Sequence, residues 1–176
     1  MELKIAQLGQ PVLWQAAALV PTAEILTAEF QQLLNDMHET LQANQGAGLA
    51  GPQVFVSRQV FLGAILPPPS EDEPPEVEVF INPRITAIGA ETSTSWEGCL
   101  SFPELLVQVS RLTHVHIDYL DAFGAVRALD LEGFPARVVQ HEFDHLQGVL
   151  TLDRAQSTRH IIKASEADDV LERKSS

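Results

Sequence analysis

The sequence predicts an α+β domain in which mainly antiparallel sheets pack around a late helix, with a further helix near the N-terminus. Apolar residues recur with helical period over residues 22–44, they alternate in several places over 105–131, and a second helical segment covers 134–147. The order helix, strands, helix is typical of α+β folds, in which helices are segregated from the sheet. The length of 176 residues favours one domain over 1–176.

The N-terminal helix is predicted over residues 22–44. Spacings of three and four place its apolar residues on one face: Leu26, Phe30, Leu33, Leu34, Met37 and Leu41. Pro21 and Thr22 mark its start, and Gly46 follows its end. The next segment, 46–53, reads Gly-Ala-Gly-Leu-Ala-Gly-Pro-Gln, a composition that excludes a helix interior and allows another group to approach the backbone closely.

The middle of the chain is predicted to be β-structure. Four segments have the apolar, β-branched character of strands: residues 54–66, 77–88, 105–119 and 125–131. An acidic, proline-rich loop at 67–76 separates the first two, and we expect it to be exposed. A hairpin loop at 121–124 joins the last two. Beyond the late helix, 156–176 is expected to be a C-terminal tail that begins as a short helix and frays.

Composition narrows the class of protein. A formal net charge of −13 disfavours nonspecific binding to nucleic acid, because phosphates would be repelled. No apolar run is long enough to span a bilayer, and the first residues have the pattern of neither a signal peptide nor a transit peptide. A single cysteine excludes an internal disulfide and suits a reducing compartment. We therefore expect a cytoplasmic protein that contacts neither nucleic acid nor membrane directly.

The segment Gln-His-Glu-Phe-Asp-His at 140–145 carries the strongest chemical signal. His141 and His145 are four residues apart, which places both on one face of a helix, where two imidazoles can hold a transition metal. Glu142 between them can exchange protons beside such an ion. The alternative is an amphipathic helix whose histidines match this pattern by chance. The late helix is thus predicted to bind metal.

A third protein ligand is needed, and Cys99 is the best candidate. It lies in a segment, Glu-Gly-Cys-Leu-Ser-Phe-Pro at 97–103, that a glycine and a proline indicate to be sharply turned. A lone cysteine is by itself more often a small buried apolar residue. A second histidine pair, His114 and His116, is interpreted as part of a solvated sheet face, because no third ligand is near it.

Three segments together resemble the motifs of the peptide deformylase family: Gly46 to Gln53, Glu97 to Ser101, and Gln140 to Gly148. The resemblance runs from about Leu8 to Arg154. One position departs from the family pattern, because Gly51 replaces the second alanine of the first motif. This glycine adds backbone freedom beside Gln53 and is expected to loosen the site slightly, while it removes no reacting group.

The resemblance implies a hydrolase that removes the N-formyl group from the formylmethionine end of newly made polypeptides and releases formate. It implies one divalent metal ion held by Cys99, His141 and His145. Ferrous iron is the expected metal, and Zn²⁺, Ni²⁺ or Co²⁺ can substitute for it. Glu142 would carry the proton from water to the departing amine. The Gln53 side chain and the backbone N–H of Leu100 would stabilise the charge that develops on the formyl oxygen.

The substrate is expected to lie beside the glycine-rich segment. Its backbone could add as a strand along Gly46, Ala47 and Gly48, with Ala47 in contact. Phe134 and Val138 share the helix face of His141, so they are candidates for the wall of a methionine pocket, or else they only fill the core. In a supporting shell around the site, Arg111 is predicted to pair with Glu97.

Two other functions remain open at this point. A zinc endopeptidase would take its third ligand from downstream, with Glu166 or His160 as candidates, but this leaves the Cys99 motif unexplained. A metal-stabilised module that only binds formylated or nascent peptides would have no need of Glu142. The sequence lacks the long basic C-terminal helix with which some members of the family dock on the ribosome, which argues against direct ribosome binding, and we expect a monomer.

Overall fold

The computed structural model describes residues 1–66 and 76–172. In this part of the chain the α-helices are α1 (Ala28–Ala43), α2 (Gly133–Leu146) and α3 (Ala167–Glu172). The strands are β1 (Gly48–Ala50), β2 (Val60–Leu66), β3 (Glu76–Ala87), β4 (Thr92–Glu97), β5 (Leu105–Leu112), β6 (His114–Leu120), β7 (Val126–Glu132) and β8 (Ile161–Lys163). Of the helices in these two ranges, none has the length and apolar character needed to cross a membrane.

The strands form two antiparallel sheets. The larger sheet has the order β1-β2-β3-β6-β7, and the smaller has the order β4-β5-β8. Strand β1 is an edge strand of the larger sheet, where Gly48 lies opposite Gly63 and Ala50 opposite Phe61. The antiparallel sheets, the N-terminal helix and the late helix confirm the predicted α+β class.

The larger sheet lies between the two long helices. Successive residues of β2 point to opposite faces, so Phe61 packs with Val138, Val139 and Leu146 of α2, whereas Leu62 packs with apolar residues of α1. The α1 residues in that second cluster are Phe30, Leu34, Met37 and Leu41. The face toward α2 also stacks Phe61 on Phe80, with ring centroids 4.6 Å apart. This burial fixes α2, and with it both histidines, against the sheet.

The first helix begins later than the sequence predicts. Thr22–Glu24 form a short 3-10 helix, and α1 begins at Ala28 behind the N-cap residue Thr27, whose side-chain oxygen accepts a hydrogen bond from the N–H of Phe30 at 3.3 Å. Leu26, assigned above to the apolar helix face, lies outside α1 and is 67% exposed. The helix therefore starts after Thr27, although the apolar spacing in the sequence extends back to Leu26.

The predicted strand 105–119 is two strands in two different sheets. Strand β5 ends at Leu112 and β6 begins at His114. The side chain of Gln140 on α2 binds both backbone groups of Leu112, accepting from its N–H at 3.1 Å and donating to its carbonyl at 2.9 Å. The side chain of Gln140 thus takes the hydrogen bonds that a neighbouring strand would otherwise make at this junction. The apolar alternation in the sequence runs on through the junction and does not reveal the break between the two sheets.

The bounds of several other predicted elements also differ from those in the structure. The predicted strand 54–66 begins at Val60, because Gly51–Val54 form a 3-10 helix that ends at Phe55 in the left-handed conformation, with φ 63°. The predicted loop 67–76 lies outside the described residues except for Glu76, which begins β3. Strand β4 was not predicted. Within the predicted tail, 161–163 form β8 and pair with residues 105–107 of β5.

Candidate metal centre and active site

Three possible metal ligands converge between α2 and the loop that follows β4. Helix α2 carries His141 and His145 one turn apart, and the loop carries Cys99. One donor atom of each residue lies within 4.8 Å of the other two, and Sγ of Cys99 is 3.3 Å from Nε2 of His145. Cys99 and His145 are buried, and the His141 side chain is 12% exposed. One thiolate and two imidazoles suit zinc, iron, nickel or cobalt and leave a fourth position for water.

The surroundings shift the pKa values of the two imidazoles in opposite directions. Burial lowers the pKa of His141, but hydrogen bonds to Cys99 and Glu97 and the charge of Glu142 raise it to about 10. Burial, together with the charges of His141 and Arg111, lowers the pKa of His145 well below its usual range. His145 is therefore neutral, as a metal ligand must be, and the negative groups around His141 would stabilise a cation in place of its proton.

A buried ion-pair network supports His141 from behind. The Nδ1 atom of His141 lies 3.0 Å from Glu97 Oε2, and Arg111 donates to both oxygens of Glu97 at 2.9 Å. This confirms the predicted pairing of Arg111 with Glu97. Arg111 also donates to Asp144 at 2.6 Å, and Arg154 binds Asp144 from the other side. The bond at Nδ1 fixes the ring of His141 so that Nε2 faces the cluster.

These contacts keep Glu97 ionised. Burial by itself would raise the pKa of Glu97, but the hydrogen bonds and charges of Arg111 and His141 hold its pKa far below the usual range. The network thus supplies a permanent acceptor for the Nδ1 proton of His141.

Glu142 projects from α2 into a cavity that Cys99 and His141 also line. Burial raises the pKa of its carboxyl to about 7, against the lowering effect of the charges of His141 and Arg111. Among the described residues, its Oε2 atom has no hydrogen-bond partner although it is buried. A carboxyl with a pKa near neutrality and a free oxygen can both accept and return a proton.

Gln53 is held with its amide group toward the cluster. Its Oε1 accepts from the N–H of Ala50 at 2.8 Å, which leaves Nε2 to approach Ser101 Oγ at 3.2 Å and Cys99 Sγ at 3.5 Å. Leu100 lines the same cavity, and its carbonyl accepts a hydrogen bond from Gln7. The side-chain amide and the Cys99 loop therefore face the space beside the three ligands.

A cavity of about 350 Å³ opens beside these groups. All of the site residues predicted from the sequence except His145 line it: Gly46, Ala47, Gly48, Gln53, Cys99, Leu100, Phe134, Val138, His141 and Glu142. Phe134 is 62% exposed at its rim, whereas Val138 is buried and also belongs to the core between α2 and the larger sheet. Two roles were considered for this pair, the wall of a pocket and the filling of the core. Val138 is placed for both, whereas Phe134 is placed at the cavity.

The structure gives Gly51 a packing role, and the loosening that we expected of it stays a prediction. A Cβ atom at this position would lie 2.7 Å from the carbonyl oxygen of Val56 and 2.9 Å from that of Arg58. Gly51 is buried, and the absence of a side chain permits close backbone packing next to Gln53.

The cavity residues that sequence reasoning missed include Trp96 and Arg137. Arg137 precedes His141 by one helical turn and is buried, with its side chain only 11% exposed. A charged residue on the apolar face of the helix was a usable signal for it. Trp96 lies in β4, whose polar sequence gave no strand signal.

The structure brings neither alternative ligand to the cluster. Among residues 1–66 and 76–172, the group of Cys99, His141 and His145 is the one set of three His, Cys, Asp or Glu side chains that could hold a metal ion. Glu166 and His160 are not part of it, which removes the support for an endopeptidase. His116 pairs with Asp130 at 2.6 Å and with Asp118 at 3.4 Å on the sheet surface.

A cysteine and two histidines that could hold a metal ion lie beside a buried carboxylate, next to a cavity bordered by the edge strand β1. This arrangement fits a metal-dependent hydrolase that acts on peptides. The family model described as "Polypeptide deformylase" matches residues 2–160. The chain belongs to the peptide deformylase family, as the three motifs indicated. It is thus a hydrolase of the class that removes the N-formyl group from nascent polypeptides.

Individual relatives agree over nearly the whole chain. Peptide deformylase 2 of Nostoc sp. is 40% identical over 171 residues, which cover 96% of this chain and 94% of the relative. A crystal structure of a class I type b peptide deformylase from Acinetobacter baumannii, described as Met-Ala-Ser bound, has a TM-score of 0.80 at 38% identity and covers 88% of this chain and 98% of its own. A peptide deformylase from Thermotoga maritima has a TM-score of 0.80 at 36% identity, covering 89% and 99%.

Proposed function

We propose that residues 1–176 form a single catalytic domain in which Cys99, His141 and His145 hold one divalent cation. Fe²⁺ is the proposed metal, and the donor set accepts Zn²⁺, Ni²⁺ or Co²⁺ as substitutes. When bound, the cation would make water a stronger acid and polarise the formyl carbonyl. The observation that carries the proposal is the convergence of the three donor atoms within 4.8 Å of one another beside the cavity that Glu142 lines.

Glu142 is the proposed general base and then general acid. Its free Oε2 can accept the proton of the attacking water, and the same carboxyl can return the proton to the amine as formate leaves. Its raised pKa suits both steps near neutral pH, since a proton is taken and given at similar cost.

Gln53 and Leu100 are the proposed stabilisers of the oxyanion. The Nε2 group of Gln53 faces the ligand cluster because its other amide atom is bound to Ala50. The backbone N–H of Leu100 follows Cys99 directly in the loop that lines the cavity. One donor aimed at such a charge is worth about 3 kcal/mol in the transition state.

The proposed substrate is the formylmethionyl end of a nascent polypeptide. Strand β1 is an edge strand, and Gly46, Ala47 and Gly48 line the cavity, so an extended substrate can add along this segment. Val138 and Phe134 would contact the methionine side chain, with Val138 inside and Phe134 at the rim. We further propose a cytoplasmic monomer, since translation supplies the substrate there and all three proposed metal ligands belong to one chain. Direct ribosome association is not needed for the proposed reaction.

The proposal is tested by anaerobic purification, metal analysis and an assay of formate release from formyl-Met-Ala-Ser. We expect one metal ion per chain and formate release by the wild type. Glu142→Gln should retain the metal but lose about 10²- to 10⁴-fold in kcat. Glu91→Gln, an exposed glutamate in the loop before β4, is the matched control and should be unchanged. Full turnover by Glu142→Gln would refute the role of Glu142, and an iron-loaded wild type without formate release would favour a peptide-binding module.

Cys99→Ala tests the ligand set separately. It should reduce metal content to a small fraction of the wild-type value, because two imidazoles alone hold the ion weakly. Glu166→Gln is the control, since Glu166 would be the third ligand of an endopeptidase. Loss of metal in Glu166→Gln and retention in Cys99→Ala would contradict the proposed site.

A further inference from the structure

Arg137 is a buried cation for which the proposed mechanism has no use. It lies on α2 one turn before His141, and both Nη atoms of its guanidinium make hydrogen bonds. Nη1 donates to Glu97 Oε1 at 2.7 Å and to the carbonyl of Val109 at 3.0 Å. Nη2 donates to the carbonyl of Ser93 at 2.8 Å and to Ser93 Oγ at 3.0 Å.

These bonds connect the two elements that carry the metal ligands. His141 and His145 belong to α2, whereas Cys99 follows β4 after one residue. Arg137 extends from α2 to the backbone of β4 at Ser93 and to that of β5 at Val109. Because a backbone carbonyl cannot rotate away as a side chain can, these contacts fix the separation between α2 and the smaller sheet.

The same guanidinium fixes the orientation of Glu97. Arg111 approaches Glu97 with two donors, and Arg137 adds a third donor at Oε1. The remaining direction at Oε2 is taken by Nδ1 of His141 at 3.0 Å. With Oε1 held by two arginines, the carboxylate cannot rotate away from the imidazole without breaking bonds to both.

Charge balance alone does not explain Arg137. The acidic groups of the network, Glu97 and Asp144, already face the cations Arg111 and Arg154. A third arginine therefore exceeds what neutrality of this network requires, and burying it would be costly unless its bonds contributed something specific. Its four acceptor atoms belong to Ser93 and Glu97 of β4 and to Val109 of β5. These strands and Glu97 hold the proposed metal ligands in position.

We propose that Arg137 is a positioning residue for the metal ligand His141, acting through Glu97 and through its ties to β4 and β5. The inference rests on the metal site of the proposed function. Arg137 holds the Glu97 carboxylate against Nδ1 of His141 and keeps α2 at the distance at which its imidazoles meet Cys99. Partners of this kind behind a metal ligand typically change metal affinity or activity by about 10- to 100-fold when they are removed.

The test compares Arg137→Gln, Arg137→Lys and Ser93→Ala with the wild type in the full-length protein. Co²⁺ affinity is measured by competition with a chelator, the ligand geometry by the absorption spectrum of the Co²⁺ protein, and catalysis by kcat and KM for formyl-Met-Ala-Ser. Arg127→Gln is the matched control, because Arg127 of β7 forms an arginine–carboxylate pair with Asp121, which is not part of the network around Glu97. The melting temperature of the metal-free protein reports stability separately.

We expect Arg137→Gln to weaken Co²⁺ binding about tenfold or more, to shift the Co²⁺ spectrum, and to lower kcat with little change in KM. Arg137→Lys keeps the charge but cannot span three acceptor groups, so its Co²⁺ affinity should fall by a smaller factor. Ser93→Ala removes one acceptor and should have the smallest effect. Arg127→Gln should bind Co²⁺ as the wild type does.

A lower melting temperature with unchanged Co²⁺ affinity in Arg137→Gln would overturn the proposal and leave Arg137 a purely structural role. A raised KM with unchanged affinity and spectrum would also overturn it, because Arg137 would then act as part of the substrate pocket. If Arg137→Gln does not fold, Arg137→Lys becomes the deciding variant. Wild-type Co²⁺ affinity in Arg137→Lys would then overturn the proposal. Absence of formate release by the wild type would refute the proposed function and leave the Co²⁺ comparison valid.

Discussion

The carboxylate of Glu142 occupies the space that a side chain on Gly48 would need. A Cβ atom at Gly48 would lie 2.6 Å from Cγ of Glu142 and would overlap its Oε1 atom. Gly48 and Glu142 are 94 positions apart in the sequence, and the motifs that contain them are in contact at this carboxylate. The glycine of the first motif makes room for the proposed proton carrier of the third, in addition to lining the proposed substrate cavity.

Gly48→Ala should therefore disable Glu142 without touching the metal ligands. We expect kcat/KM for a formylmethionyl peptide to fall about 10²-fold or more, because the displaced carboxylate can no longer transfer the proton efficiently. Metal content should stay at the wild-type value. Overpacking of this kind should also lower the free energy of unfolding by about 1–3 kcal/mol.

A double-mutant cycle with Glu142→Ala separates overlap from other effects of the new methyl group. Once the carboxylate is absent, adding the methyl group at Gly48 should change the free energy of unfolding by less than about 0.5 kcal/mol. Urea unfolding of the four proteins measures this. An equal loss of stability in both backgrounds would show that the methyl group collides with something other than Glu142.

The ligand pair on α2 could be predicted from sequence because its geometry is local. A spacing of four residues brings His141 and His145 to one helix face whatever the rest of the fold does. The third proposed ligand, Cys99, has no such local signal: it was the best candidate in the sequence, and the resemblance of its motif favoured a ligand over a lone buried cysteine. The structure places its sulfur 3.3 Å from His145.

Other features depend on contacts that no local pattern encodes. The alternation over 105–119 continues through the junction of two sheets, and the side chain of Gln140 takes the hydrogen bonds of Leu112 there. The environment of Arg137 is equally remote from its own sequence, because its acceptors lie on β4 and β5. Strand β4 has the polar sequence Thr-Ser-Thr-Ser-Trp-Glu, which gives no apolar alternation from which to predict a strand.

Gln53→Ala should remove one donor to the developing oxyanion. We expect kcat to fall about 10²- to 10³-fold with KM and metal content little changed, because the interaction strengthens only in the transition state. Ser101→Ala is an informative partner variant, since Ser101 Oγ lies 3.2 Å from Gln53 Nε2 and helps to orient it. Its kcat should fall by less than that of Gln53→Ala. The role would be refuted by a Gln53→Ala protein with near wild-type kcat.

Arg111→Met should be strongly destabilising. The side chain of Arg111 is 3% exposed and bridges Glu97 and Asp144, so its loss leaves buried carboxylates short of a cation. Breaking a buried pair in this way typically costs about 3–5 kcal/mol. Arg127→Met breaks the pair with Asp121, in which the arginine is 60% exposed, and should cost far less stability because solvent screens the pair. Urea unfolding of both variants measures the contrast, and similar losses would contradict it.

Asp121 should make stability depend on acid pH. Its carboxylate accepts from the N–H groups of Phe123 and Ala125 and from Nε of Arg127, each at 2.9 Å. Burial alone would raise its pKa, but the side chain of Arg127 and these two N–H groups lower it below the usual value. A carboxyl with a lowered pKa in the folded state adds stability above its unfolded pKa of about 3.9, and this is lost as pH falls through the folded pKa.

The stability difference between the wild type and Asp121→Asn should therefore be constant from pH 7 to about pH 5 and shrink below about pH 4. Asp130→Asn is a control of opposite sign. Asp130 hydrogen-bonds His116 and, with Asp118, raises its pKa, so its contribution is present below the unfolded histidine pKa of about 6.5 and is lost as pH rises through the folded value. Urea unfolding of the three proteins between pH 3 and pH 9 measures both trends. A difference for Asp121→Asn that does not change across this range would show that Asp121 acts through its neutral hydrogen-bond geometry alone.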